Sequence, residues 1–193
     1  MKALKIFLSI CFVSFLFSCS DNTENLVEKN DDIALRSNIT AKDYQTLLEA
    51  VTSNLNHSTK STGSVEMTED EAREILMPFL EDGKQIQHSL MDIVDKDIAE
   101  VWNNMTETDL ITLSFLVCSV NHNSVETKAT TGERLLACLG VAIGVTDIYN
   151  IGIKGLVNAK TALQVVKAVG KRYLGYIGVA IMIADFTTCV GAS

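Results

Sequence analysis

Leu139-Gly140-Val141-Ala142-Ile143-Gly144-Val145-Thr146-Asp147-Ile148 returns 38 residues later as Ile177-Gly178-Val179-Ala180-Ile181-Met182-Ile183-Ala184-Asp185-Phe186. Gly, Val, Ala, Ile and Asp match, and three further positions exchange one apolar residue for another. Each copy is apolar all round and is interrupted by a single Asp, so each reads as a helix meant for burial or for lipid. Gly140 and Gly144 in the first copy and Gly178 in the second are the positions where a small residue lets another backbone approach. Each such glycine costs about 1 kcal/mol of helix propensity relative to Ala. One apolar helix with a glycine face cannot bury itself, whereas two alike can close on each other. The fold expected from this is all-α: an acidic N-terminal helical region, then a compact hairpin-like unit, 132–193, with two similar apolar helices.

Between the copies, Lys160, Gln164, Lys167 and Lys171 recur at i, i+4, i+7 and i+11, with Ala162, Leu163, Val165, Val166 and Val169 largely opposite. That is a basic amphipathic helix. It is expected to lie across one end of the repeat pair, with Lys160, Lys167, Lys171 and Arg172 turned towards a membrane or a partner. Cys138 opens the first copy and Cys189 follows the second. Antiparallel packing would bring those ends together, so Cys138 and Cys189 are expected to be bonded. Cys118, inside Leu113-Ser114-Phe115-Leu116-Val117, reads as a buried free thiol.

Upstream the chain changes character. From Ser20 to Thr127 there are seven Lys/Arg against 21 Asp/Glu, a balance of −14; from Lys128 to Ser193, seven against three give +4. Nucleic acid needs clustered cations, and neither half supplies a convincing footprint. Within the acidic region, taken as 40–121, three capping boxes open helices: Thr40 with Asp43, Thr68 with Glu71, and Thr106 with Asp109. Tyr44, Leu47, Leu48, Val51 and Leu55 form the first apolar stripe, and Ser58 to Ser64 reads as a flexible linker. Ala72, Ile75, Leu76 and Phe79 form the second stripe. Pro78 is expected to kink or restart that helix and Gly83 to end it. Ile86, Leu90, Met91 and Val94 suggest a third helix; Ile98, Val101, Trp102 and Met105 a fourth; Leu110 to Val120 a fifth. Residues 122–131 read as a linker.

No pattern carries catalysis. There is no G-x-S-x-G, and no glycine stands five before Gly170-Lys171 to make a phosphate loop. His57, His88 and His122 lack ligand spacing and read as solvated surface histidines. Asp92, Asp95, Asp97 and Glu100 lack the loop glycine of a calcium site and read as capping residues. The expectation is a non-enzymatic chain with no metal and no cofactor.

The first residues give the address. Lys2 and Lys5 precede an uncharged run from Ile6 to Phe17, too short to span a bilayer, so 1–18 reads as a signal peptide. Leu16-Phe17-Ser18-Cys19 resembles a bacterial lipobox, which implies that Cys19 carries a lipid. The stretch after it, polar and acidic overall and without periodicity, makes 19–39 read as a disordered tether. Ser20, Asp21, Asn22 and Glu24 after the cysteine are similar to the outer-membrane and surface-export pattern of Bacteroidota lipoproteins. Thr68-Glu69-Asp70-Glu71-Ala72-Arg73-Glu74-Ile75-Leu76-Met77-Pro78-Phe79-Leu80, with the cysteine-bounded glycine-rich tail, resembles small surface lipoproteins of that group. The likeness implies an outer-membrane, cell-surface location and no activity. A structural or binding lipoprotein follows as the expected function. Its alternative is a bacteriocin-like, membrane-active protein, because the cationic glycine-rich tail stands behind an acidic segment as a helical bacteriocin stands behind its pro-region.

Overall fold

The structure, a computed structural model, describes residues 33–62, 67–91, 93–94, 96–123, 132–144 and 148–191, with the side chains in them except those of 56–62, 97, 98, 123 and 149. The expectations for residues 1–18, Cys19, Asp92, Asp95 and Asp147 lie outside the described residues, as does most of the linker at 122–131. The described chain is all-α. Its helices are α1 (Ala41–Thr62), α2 (Glu69–Met91), α3 (Lys96–Asn103), α4 (Glu107–Asn123), α5 (Gly132–Ile143), α6 (Ile148–Leu156), α7 (Ala159–Gly170) and α8 (Gly175–Gly191).

Two of the three capping boxes form in full, and at the third the Thr40 hydroxyl and Asp43 meet without the return bond from the Thr40 amide. The Asp43, Glu71 and Asp109 amides each donate to the hydroxyl of the threonine three residues back, at 3.2 Å. The Thr68 and Thr106 amides donate in return to Glu71 and Asp109 at 2.8 and 2.9 Å. Two donors that a helix start leaves without partners are thereby satisfied at each of these two sites.

The second and third expected helices are one. α2 continues through Pro78 and past Gly83 to Met91. The reason lies in its packing on α4. A Cβ at Gly83 would sit inside the van der Waals shell of the Leu110 carbonyl oxygen and of Leu110 Cβ. Gly83 is therefore the close-approach glycine of this fold, read from sequence as a terminator because a helix packed against another backbone gives no local sign of it. Substitution Gly83→Ala gains about 1 kcal/mol of helix propensity and loses more to overpacking. The expected outcome is a net loss of about 2 kcal/mol in urea unfolding.

α4 is the centre. Every residue from Leu110 to Val120 is buried, on all sides of the helix. α2, α7 and α8 lie against it, with α1 and α6 in lesser contact. Its polar residues are accommodated rather than exposed: Thr112 and Ser119 hydroxyls donate to the carbonyls of Thr108 and Phe115, at 2.8 and 2.7 Å. A row of edge-to-face rings, Tyr44–Phe79–Phe115–Phe186, with centroids 6.3, 6.2 and 5.2 Å apart, joins α1, α2, α4 and α8 through the core.

The repeat helices do pack antiparallel. Arg134, early in α5, donates to the Cys189 and Val190 carbonyls late in α8, and the Tyr173 hydroxyl just before α8 donates to the Ala142 carbonyl late in α5. Cys138 and Cys189 are bonded across this pair, Cα atoms 5.6 Å apart, and Cys118 is free and buried. The copies differ beyond that. α8 runs unbroken through the second, whereas the first stops at Gly144, whose φ of 72° leaves the helix. Gly144 is thus a turn residue, not part of a helix face, and the Arg172 guanidinium occupies the space its side chain would fill. Gly178 faces the backbone of Tyr173, its own preceding turn, rather than α5. Gly140 is half-buried on α5.

Two further expectations are corrected. Residues 132–193 are not a self-contained unit, because α8 packs on α1 and α2 as much as on α5 and closes the same core. α7 lies on α4 and α6 instead of capping the repeat pair; its apolar side is nonetheless inward and Lys160, Gln164, Lys167 and Lys171 are outside.

Candidate functional site

Residues 33–39, which their composition assigns to a tether, are a strap held along its whole length. The Leu35 amide donates to the Val157 carbonyl at 2.7 Å, the Ala159 amide donates to the Ile33 carbonyl at 3.2 Å, and Ala34 bridges Asn158. Leu35 is buried. Further on, the Asp82 carboxylate of α2 collects three donors: Ser37 Oγ at 2.8 Å, the Asn38 amide at 2.8 Å and Ser114 Oγ of α4 at 2.7 Å. The Asn38 side chain also donates to Gln85 at 2.8 Å. His122 Nε2 meets the Ile39 carbonyl at 2.7 Å and its ring lies 5.6 Å from that of Tyr44. His122 is thus a structural partner of the strap, not a solvated histidine, while His88 is exposed; the side chain of His57 lies outside the described residues.

Asp82 is only 4 % exposed, and a buried charge is tolerated because every donor around it points inward. Its signal was present in the sequence, since an Asp three residues past Phe79 falls on the apolar stripe. Ser37 gave none, as nothing local links it to a residue 45 positions away. Beneath the strap the Cys118 thiol donates to Ser37 Oγ at 3.0 Å. Burial pushes this thiol up to about 12, helped slightly by the Asp82 charge and opposed by its hydrogen bonds to Ser37 and Ser114. Folding therefore favours the neutral thiol. Its contribution to stability is complete below the ordinary value of 9.0 and is lost as the pH rises from there towards about 12. The native protein is expected to resist iodoacetamide at pH 8 at Cys118 and to alkylate fully in urea; rapid native labelling would show that the strap opens.

Between strap, α1 and α2 lies a groove of about 450 Å³. Its walls are Asn38 and Ile39; Asp43, Thr46 and Leu47; and Pro78, Glu81, Asp82 and Gln85. Ile39, Leu47 and Pro78 supply apolar surface, Asp43, Glu81 and Asp82 supply three carboxylates, and among the described residues no Lys or Arg lines it. The volume falls in the range of small-ligand sites.

A second cluster ties the start of α8 to α2 and α4. Arg73 donates through Nε to Glu107 Oε2 and to the Tyr176 hydroxyl, both at 3.2 Å, and the Tyr176 hydroxyl donates to Glu107. These two donors hold the Glu107 carboxyl below its ordinary value, while the hydrogen bond to Glu107 holds the Tyr176 hydroxyl above its own. The Glu107 part of this tie is present at neutral pH and fades as acid carries the pH down through the lowered value. Next to it, Glu69 accepts from the Tyr176 and Ile177 amides at 2.6 and 3.4 Å, a carboxylate from another helix capping the first turn of α8. These contacts tie the start of α8 to α2 and α4.

Of the residues singled out from sequence, Cys138 and Cys189 are brought together, and Lys160, Lys167, Lys171 and Arg172 are exposed. Among the described residues no group of three His, Cys, Asp or Glu side chains converges as a metal site, and no single helix is long and apolar enough to cross a membrane. α7 and α8 pass that test only as a pair, bent by 113°. No protein-family model, curated protein sequence or solved structure matches this chain.

Proposed function

We propose that this chain is a non-enzymatic bacterial lipoprotein, anchored at the outer membrane through a lipid on Cys19 and displayed at the cell surface, where it acts by binding. The observation that supports binding is the groove beside the strap, a concave surface lined by Ile39, Leu47 and Pro78 together with the carboxylates Asp43, Glu81 and Asp82. The resemblance of Leu16-Phe17-Ser18-Cys19 to a lipobox supports the anchor. The strap then links the anchored end of the chain to one wall of the groove, through Asn38 and Ile39. The test is metabolic labelling with a clickable fatty acid, followed by surface proteolysis of intact cells. The wild type is expected to be labelled and cleaved, and Cys19→Ala unlabelled. Equal labelling of both would remove the anchor from the proposal.

The membrane-active reading draws on the exposed lysines of α7 and on the composition of the α7–α8 pair. Against it stands the burial of Val179, Ala180, Met182, Ile183 and Phe186 of α8 in a core shared with α1, α2 and α4. Releasing α8 into lipid would open that core. The oxidised, folded chain is expected to leave vesicle contents intact, and dye release would favour this second reading.

A further inference from the structure

α7 presents a face with no acidic residue of its own, since none occurs between Asp147 and Asp185. Lys160, Gln164, Lys167 and Lys171 are exposed along it, and Arg172 follows in the turn to α8. Among the described residues none of these four cations forms an ion pair. Arg172 instead lies over the Tyr173 ring, 5.5 Å from its centroid, and against Gly144. Two carboxylates of neighbouring elements stand close to this segment, Asp109 beside Gly170 and Glu69 beside Gly175. Both are engaged, Asp109 by Thr106 and Glu69 by the α8 amides.

The same end of the molecule carries two of the large apolar side chains that stand in solvent. Leu174 is 78 % exposed and Val141 is 71 % exposed. The Tyr173 hydroxyl bond to the Ala142 carbonyl, together with the Arg172 contact at Gly144, sets the turn that holds Leu174 against the end of α5 that holds Val141. Cations along a helix with apolar side chains at its end are the composition of an interfacial face. The point of chain entry lies at the other end of this helix, because Ile33 pairs with the amide of Ala159, the first residue of α7.

We propose that α7 and the turn after it form a face that lies on an anionic bilayer surface, with Lys160, Lys167, Lys171 and Arg172 among the headgroups and Leu174 and Val141 entering just below them. Residues 19–32 span at most about 50 Å when fully extended, and α7 is about 18 Å long, so an anchor at Cys19 leaves the whole face within reach of the membrane that holds it. Of the acidic groups, Asp109 and Glu69 stand beside this face and are held by their own hydrogen bonds, while charges farther than about 8 Å from it are screened at physiological salt. The face goes beyond the anchored binding role and does not depend on the groove. Its anchor is tested separately, so the two can fail independently.

The experiment uses the unlipidated chain from Ser20 to Ser193, which retains every described element, with sedimenting vesicles at millimolar lipid. One vesicle is phosphatidylcholine and the other phosphatidylcholine with one quarter phosphatidylglycerol. Binding is expected on the anionic vesicle alone and is expected to weaken steeply with added salt. Each basic residue near the surface contributes about fivefold in partitioning, so Lys160→Gln with Lys167→Gln should lose about 20-fold. Both side chains are exposed, so this pair keeps the fold intact, checked by an unchanged thermal midpoint. Leu174→Ser should lose a few-fold. Equal binding to both vesicles, absence of binding, or undiminished binding of the Lys160/Lys167 pair would each overturn the proposal; the last would place the contact elsewhere on the protein.

Discussion

Substitution Asp82→Ala is expected to remove about 4 kcal/mol of stability, on the order of the cost of breaking a buried charge network by deleting one member. Three donors converge on this carboxylate from two elements, the strap and α4, at 2.7 to 2.8 Å. Without it, Ser114 stays buried with no acceptor, and Ser37 and the Asn38 amide, at the strap, lose theirs. Asp82→Asn is milder, about 1 to 2 kcal/mol, because the amide oxygen still accepts and the two hydroxyls can turn to receive its NH2. Urea unfolding gives both numbers. A second readout belongs to the strap: with Ser37 released, the Cys118 thiol it covers should react with iodoacetamide under native conditions in Asp82→Ala and not in the wild type. An Asp82→Ala variant as stable as the wild type would show that trapped water already satisfies these donors.

Removal of the disulfide is the other large effect. The bond closes 51 residues, and the chain-entropy model gives about 4 kcal/mol for a loop of that size. For a fold of this length that corresponds to a fall of about 10 °C in the thermal midpoint. Cys138→Ser with Cys189→Ser is expected to show it, and the wild type under reductant should match the double variant. The loss should fall on α5 and the end of α8, where Arg134 reaches the Cys189 and Val190 carbonyls, so amides there exchange faster while those of α4 hold. A drop under about 1 kcal/mol would mean that α5 is held by packing on α8 alone.

Helix starts, apolar stripes, the Cys138–Cys189 pair and the outward lysines of α7 were legible in the sequence, because each follows from spacing within one element or from a duplicated pattern. Thr68 and Glu71, three apart, carry their own geometry. So do Lys160 and Lys167, whose positions opposite Val165, Val166 and Val169 fix their side of the helix. The cellular address implied by Leu16-Phe17-Ser18-Cys19 and the anchored, non-enzymatic role remain proposals that the labelling experiment addresses. What only the tertiary structure decided is where separate elements meet. Gly83 lies inside a helix where the Leu110 backbone takes the space of a side chain; Gly144 ends one at a φ of 72°, with Arg172 filling the space beside it. Residues 33–39 are held although no periodicity marks them, since Asp82, Cys118, His122, Val157 and Ala159, all distant in sequence, supply their partners. The last third shares one core with the acidic region because α4, apolar on every side, needs cover from both, and burial is set by which surfaces exclude water together.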